Sequence, residues 1–238
     1  MLNILYNIII YPVEQLIELC FLFVQRIFES NAIALCGVSI SVSIFILPLY
    51  FAAEKLQIAE REIQFRLAAK ISKIKTAFKG DEQYMILSAF YRQNHYHPVY
   101  GLRSSFGLLI QIPFFIAAYH YISHLEAING VRFIFINDLG APDGLFSIGG
   151  FNVNFLPVLM TAINVISAVV YTKGFPVKEK IQLYVMALLF LVLLYNSPAG
   201  LVVYWTLNNI FSLVKNIVQK TRYANKIAFG VYVLALLP

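Results

Sequence analysis

Long uncharged stretches, separated by segments rich in charge, dominate the pattern of this chain. The first long stretch begins at Ala32 and continues to Ala53 without a charged side chain. At about 1.5 Å per residue, a helix of this length crosses the hydrocarbon core of a bilayer. Four more apolar stretches follow, so the pattern predicts five spans at residues 32–53, 104–125, 153–171, 181–196 and 198–214.

The region between the first two spans has a different pattern. Residues 54–103 are rich in charge, yet apolar side chains recur every three or four positions, as on one face of a helix: Leu56, Ala59, Ile63, Leu67, Ile71, Ile74 and Phe78. Gly80 and Asp81 interrupt this pattern, and a second helical segment runs from Glu82 to about Gln93. The pattern predicts a helical hairpin outside the membrane, followed by a loop over residues 94–100.

The two ends of the chain are also patterned. Residues 1–31 lack a basic N-terminal region, and apolar positions at helical spacing (Leu16, Leu19, Phe23, Ile27) alternate with polar ones (Glu14, Glu18, Gln25, Glu29). This pattern predicts an amphipathic helix in the membrane interface, with a helix packed on the spans as the alternative. Residues 221–238 form a tail whose last 12 residues are apolar but too short to span; they either lie against the bundle or begin a further helix.

Composition and charge agree with an all-α membrane protein and set its orientation. The chain is 60% hydrophobic and 13% charged, which indicates several membrane spans. Of 18 Lys and Arg residues, all but Arg26 and Arg132 fall in the hairpin, in the link at residues 172–180 or after the last span. The positive-inside rule therefore places the hairpin and the C-terminus in the cytoplasm, and the N-terminus and the loop at residues 126–152 outside.

Candidate chemistry is limited to uncharged polar groups. The chain has no phosphate-binding loop, nucleophile elbow or zinc-protease motif, and the predicted spans contain no Asp, Glu, Lys or Arg in their interiors. We therefore predict no enzyme, no cofactor and no metal site. The pairs His120–His124 and His95–His97 are alternatives as metal ligands, but such pairs are more typical of a membrane interface and of a loop, respectively. The spans do carry seven polar side chains: Ser39, Ser43, Gln111, Thr161, Asn164, Tyr204 and Asn208. Each one alone is typical of interhelical hydrogen bonding, whereas the set favours a shared hydrophilic groove.

Three segments resemble one known family. FYRQNHYHPVYGLRSSFGLLIQIPFF, FINDLGAPDGLF and NSPAGLVVYWTLNNIFSLVKN occur in the order and spacing of motifs in the YidC/Oxa/Alb membrane protein insertases. The resemblance covers about residues 6–220. It implies a five-span core over residues 32–220 that encloses a groove open to the cytoplasm and to lipid, with a mobile cytoplasmic hairpin that receives substrates and no need for nucleotide.

The sequence departs from this family at one important position. Family members usually carry an arginine in the first span, five residues before the proline that Pro48 matches, and here that residue is Ser43. The proline of the family's Gly-Cys-Leu-Pro element is also absent, since Gly101 is followed by Leu102, Arg103 and Ser104. These departures leave the expected fold unchanged. They weaken the case for a mechanism in which an arginine attracts acidic substrates.

The resemblance therefore implies a membrane protein insertase or chaperone in a bacterial plasma membrane. Its expected partners are newly made membrane proteins and the lipid bilayer, with the ribosome and the Sec translocon as further candidates and no specific nucleic acid. The alternative is an insertase-like scaffold that binds one dedicated membrane partner in secretion or envelope assembly. A transporter ranks third, since no coupling acid or inverted repeat is visible in the sequence.

Overall fold

The computed structural model describes residues 6–100, 106–148, 151–173 and 177–219. Its helices are α1 (Tyr11–Phe28), α2 (Asn31–Ala77), α3 (Gly80–Gln93), α4 (Phe106–Ser123), α5 (Phe155–Tyr171), α6 (Val177–Leu194) and α7 (Ala199–Gln219). A π-helical turn (Tyr6–Ile10) precedes α1, a 3-10 turn (Glu126–Ile128) follows α4, and strands β1 (Phe146–Ile148) and β2 (Phe151–Val153) form a small antiparallel hairpin. The chain divides into a first unit, residues 1–45 and 115–238, and a second unit, residues 46–114. The predicted C-terminal tail lies outside the described residues.

Helix α1 presents two different faces. Ile17, Phe21 and Val24 are buried, whereas the predicted apolar stripe is largely exposed, with Leu19 and Phe23 each 66% exposed. The packed face is thus offset from the stripe that the sequence suggested. Its packing on α2 is close, because a Cβ built on Gly37 would lie 2.6 Å from Val24 Cγ1. The exposed apolar side is suited to lipid.

Helices α5, α6 and α7 form the packed part of the first unit. Helix α5 contacts both α6 and α7, and small side chains such as Ala187 and Ala199 are completely buried. Helices α4 to α7 begin and end within five residues of the last four predicted spans, whereas α2 continues well beyond the first predicted span. The membrane boundaries themselves stay predictions. By length and hydropathy alone, three stretches of the described residues are suited to crossing a bilayer: Tyr6–Phe28, Asn31–Ala77 and Ala199–Val218. The N-terminal stretch is therefore long enough to span, and its predicted interfacial position stays a prediction.

The loop between α4 and α5 is held by its aspartates. Asp138 Oδ1 accepts hydrogen bonds from the amides of Gly130 and Gly140, both at 2.8 Å. Asp143 Oδ2 accepts from the amides of Phe155 at 2.6 Å and Leu156 at 3.1 Å. Because these two amides begin α5, the carboxylate satisfies backbone donors that have no partner within the helix. The acids in this glycine-rich loop therefore have a structural role.

The loop is also joined to the start of α7. The amide of Gly200 donates to Leu139 O at 2.8 Å, and the amide of Ala199 donates to Ala141 O at 2.8 Å. A Cβ on Gly200 would lie 2.9 Å from Ile128 Cδ1 and 3.1 Å from Leu139 O, so a larger residue would require these neighbours to shift. The close contact fixes the first turn of α7, which carries the polar side chains described below.

The second unit contains the later part of α2 and all of α3. Helix α2 runs without interruption from Asn31 to Ala77, through Pro48. The break that the sequence placed at Gly80-Asp81 occurs instead at residues 78–79, and Gly80 begins α3 with a φ of +60°. Gln83 Nε2 closes the turn by donating to Phe78 O at 2.6 Å. The break between the two helices thus lies two residues before the predicted position, and the hairpin outside the membrane stays a prediction.

The packed face of α2 in the second unit differs from the predicted apolar stripe. Leu67 is buried as predicted, but Leu56 is 47% exposed. The side chains buried at this end of the unit are polar: Gln57 is 6% exposed and Glu60 is 1% exposed. The prediction of an apolar seam was therefore wrong for the first turns, because a hydrogen-bonded polar cluster replaces it there.

Candidate functional site

Two of the predicted polar residues meet a third within the first unit. Ser39 and Ser43 lie one turn apart on α2, so their hydroxyl groups share one face. Asn208 on α7 lies opposite them, and its Oδ1 accepts hydrogen bonds from Ser39 Oγ at 2.9 Å and Ser43 Oγ at 2.8 Å. Ser39 Oγ also lies 3.0 Å from the main-chain oxygen of Tyr204. We call Ser39, Ser43 and Asn208 the serine–asparagine cluster.

The cluster joins two helices through one amide oxygen. Ser39 and Ser43 are 1% and 6% exposed, and a hydroxyl has a single proton to donate. Ser39 can therefore alternate between two acceptors, whereas Ser43 has only Asn208 among those that the structure describes. This arrangement is the interhelical hydrogen bonding that each serine alone suggested.

The other predicted groove residues are not all brought to this cluster. Thr161 donates to Pro157 O of its own helix at 2.7 Å, and Asn164 is half-buried on the same helix, α5. Tyr204 is 1% exposed and contributes its main-chain oxygen. Gln111 belongs to the second unit. The structure thus assembles Ser39, Ser43, Asn208 and the backbone of Tyr204, and the membership of the other three residues stays a prediction.

Helix α7 carries further polar atoms that the predicted set does not include. The side chains of Trp205, Asn209 and Asn216 are 3%, 7% and 5% exposed. Trp205 Nε1, Asn209 Nδ2 and Asn216 Oδ1 have no hydrogen-bond partner among the described residues. Positions 205, 209 and 216 share one face of a helix. This spacing can be read directly from the sequence. A buried polar atom without a partner is costly, so these atoms favour access by water.

Three aromatic rings pack beside these atoms. The ring of Trp205 lies 4.9 Å from both Phe115 and Phe190, and these two lie 4.8 Å from each other. Rings at this separation contribute packing energy beyond the area that they bury. They fix the position of the Trp205 indole, and with it the face of α7 that carries Asn209.

A second polar cluster lies in the second unit. Glu60 Oε1 accepts hydrogen bonds from Tyr96 Oη at 2.6 Å and from Gln64 Nε2 at 3.0 Å. Burial and this bond to Glu60 raise the pKa of Tyr96 to about 12. Nothing in the sequence pattern indicates this cluster, because Glu60 resembles any solvated charge of the hairpin. Only the return of the chain at Tyr96 shows that Glu60 is buried.

An acidic cleft with two histidines opens in the first unit. It has a volume of about 240 Å³, and its lining includes Glu14, Glu18, His120 and His124. His120 Nδ1 lies 2.9 Å from Glu14 Oε1, and His124 Nδ1 lies 2.7 Å from the main-chain oxygen of His120. Within the described ranges, no three His, Cys, Asp or Glu side chains are arranged to hold a metal ion. The histidine pair is therefore engaged with a carboxylate and a helix carbonyl.

Comparison with known proteins gives one consistent family. A family model described as "60Kd inner membrane protein" matches residues 23–226. Curated proteins named membrane protein insertase YidC include one from Herminiimonas arsenicoxydans, 34% identical over 61% of this chain and 26% of its own length. A second, from Treponema pallidum, is 27% identical over 92% of this chain and 36% of its own length. A third, from Aquifex aeolicus, is 29% identical over 84% of this chain and 38% of its own length.

A solved structure has a similar fold. It is described as an active YidC insertase crystal structure with the first transmembrane domain resolved, and it matches with a TM-score of 0.55 and 25% identity. The match covers 91% of this chain and 47% of the solved chain. The present chain thus spans less than half the length of the relatives that it matches, and the similarity extends over most of its own residues.

Proposed function

This chain belongs to the 60Kd inner membrane protein family, and from that premise we propose that it inserts newly made membrane proteins into a bacterial inner membrane and helps them to fold. Its proposed partners are such client proteins and the lipid around them. We propose that clients arrive from the ribosome or the Sec translocon, the two sources that the family resemblance suggests. No step of the proposed mechanism uses a nucleotide or another cofactor.

The proposed mechanism is a hydrophilic passage for the polar parts of a client. A charged side chain at the bilayer centre costs about 2.5–3.5 kcal/mol on insertion scales. Water and polar groups within the protein would lower that barrier, while the apolar parts of the client enter lipid. The supporting observation is the polar face of α7, where Trp205, Asn209 and Asn216 each bury an atom without a partner among the described residues. We propose that water satisfies these atoms and extends to the serine–asparagine cluster.

The proposed topology follows the distribution of charge. Five spans, formed by the apolar part of α2 and by α4 to α7, would leave the basic hairpin at residues 54–103 of the second unit in the cytoplasm and the loop at residues 126–152 outside. Helix α1 would lie at the outer interface with its exposed apolar side in lipid. In this arrangement the second unit would meet a client before the client enters the membrane.

Ser43 determines which clients the passage would favour. Its hydroxyl is neutral and donates to Asn208, so this position offers no positive charge to an acidic segment. We propose that clients are selected by low charge and short outer tails and not by acidity.

The deciding experiment is site-specific crosslinking from position 43 during synthesis of membrane proteins in cells. A photoreactive residue at Ser43 should capture many short membrane proteins if the chain is a general insertase. Capture of one partner only would support the dedicated scaffold, and capture of no nascent chain would contradict an insertase with a passage at this position. The matched control is a photoreactive residue at Phe45, which is 62% exposed on the other side of the same helix.

The general activity is tested independently by reconstitution. Liposomes that contain the purified chain should insert a single-span reporter with neutral flanks faster than empty liposomes do. Equal rates with and without the protein would refute the proposed function.

A further inference from the structure

Glu60 is a buried carboxylate with half of its hydrogen-bonding capacity unused. Its side chain is 1% exposed, and both described donors, Tyr96 and Gln64, bond to Oε1. Oε2 is also buried and has no hydrogen-bond partner among the described residues. Burial of a carboxylate oxygen without a partner costs free energy. The site would therefore gain from a donor that carries a positive charge.

Tyr96, which donates to this carboxylate, belongs to a group of tyrosine rings. The ring of Tyr96 lies 5.7 Å from Tyr91 and 6.0 Å from Tyr100. A cation within about 6 Å of the centroid of an aromatic ring is attracted to the face of the ring, and more strongly where water is excluded. One carboxylate and several tyrosine rings are a suitable environment for an ammonium or guanidinium group. We call Glu60, Gln64, Tyr91, Tyr96 and Tyr100 the Glu60 cluster.

A metal ion fits this environment less well. Calcium and magnesium take about six or more oxygen ligands, and zinc takes about four ligands. Glu60 is the cluster's only carboxylate, and no metal-binding group of three acidic, histidine or cysteine side chains occurs in the described part of the chain. Organic cations need only one carboxylate and ring faces, so they are the ligand class that the cluster favours.

We propose that the Glu60 cluster binds the Lys or Arg side chain that flanks the apolar segment of a client, at the end that stays in the cytoplasm. This inference rests on the proposed function, which places the second unit on that side. Membrane proteins carry an excess of Lys and Arg in their cytoplasmic flanks. The cluster would thus hold the end of a client that must not cross the membrane.

Access to Oε2 requires movement of the loop that carries Tyr96. Tyr96 is half-buried, and Tyr100 is 38% exposed in the same loop. A cation that enters beside these rings would replace none of the Oε1 bonds, because it binds the other oxygen. The ring of Tyr96 would then lie against the bound cation.

The test is binding of synthetic client segments to the full chain in nanodiscs of neutral phosphatidylcholine. Two fluorescent peptides share one apolar segment and differ only in a flank of two Lys or two Gln. The wild-type chain should bind the Lys peptide about tenfold more tightly, which corresponds to about 1.4 kcal/mol. Glu60→Gln should reduce this ratio to about one, because the amide keeps an acceptor for Tyr96 and Gln64 but carries no charge.

Glu62→Gln is the matched control, because Glu62 is exposed and its replacement by Gln changes the net charge by the same amount. It should keep the tenfold ratio. A second variant, Tyr100→Leu, should lower the ratio about threefold through loss of one ring. This variant tests the proposal if Glu60→Gln does not fold. Equal effects of the Glu60 and Glu62 variants, or a wild-type ratio near one, would overturn the proposal. Insertion of the Gln-flanked reporter tests the proposed function separately, so the two failures are distinguishable.

Discussion

The serine–asparagine cluster allows a quantitative test of the contact between α2 and α7. Ser43 has one described acceptor, Asn208 Oδ1 at 2.8 Å. Ser39 has two, Asn208 Oδ1 at 2.9 Å and Tyr204 O at 3.0 Å. When Asn208 is replaced by Ala, Ser39 can therefore turn its proton to Tyr204, whereas Ser43 loses its described acceptor. The two serines should respond differently to the same change.

The expected magnitudes follow from hydrogen bonds measured within membranes. Such a bond contributes about 0.6 kcal/mol on average and at most about 1.7 kcal/mol. Ser43→Ala should lower the free energy of unfolding by about 0.6 kcal/mol in the wild type and by almost nothing in the Asn208→Ala background. The coupling free energy of Ser43 with Asn208 is then about 0.6 kcal/mol. The coupling of Ser39 with Asn208 should be smaller, because its bond to Tyr204 remains.

The assay is reversible unfolding in bicelles, with each single and double variant measured under the same conditions. Ser41→Ala is the control, because residue 41 lies on roughly the opposite side of α2 from residues 39 and 43. Its coupling with Asn208 should be zero. The reasoning is refuted if the Ser43 coupling does not exceed that control, or if Ser39 couples to Asn208 more strongly than Ser43 does.

Three further predictions follow from other parts of the structure. Gly37→Ala should destabilise the protein by about 1–3 kcal/mol through overpacking, since its Cβ would lie 2.6 Å from Val24 Cγ1. Adding Val24→Ala should restore most of the lost thermal stability, and absence of this rescue would contradict the described packing. A cysteine at exposed Lys79 should react with an impermeant thiol reagent only from the cytoplasm. A cysteine at Ile134, which is 83% exposed, should react only from outside, and the reverse result would overturn the topology. Amides of residues 55–93 should exchange hydrogen faster than those of α7, because the hairpin has fewer buried apolar side chains; protection equal to that of α7 would count against a receiving role.

The sequence alone determined the fold class and the family. Apolar stretches of membrane-spanning length fix a helical membrane protein, because backbone groups in lipid must bond within their own segment. The motif NSPAGLVVYWTLNN resembles a segment of the family, and it identified the family together with two other segments in the same order and spacing. Helical spacing also placed Ser39 and Ser43 on one face, so local geometry was sufficient up to that point.

The partners of these side chains were decided by tertiary structure. Spacing within α2 cannot show that Asn208, 165 residues later, accepts both serine protons. Periodicity also misplaced part of the buried face of the hairpin, because it ranks a face by hydrophobicity alone. Glu60 is buried because Tyr96 returns to it across 36 residues, and such a contact depends on where the loop closes. A short-range pattern fixes which side chains share a face, but only the packing of distant segments decides what that face meets.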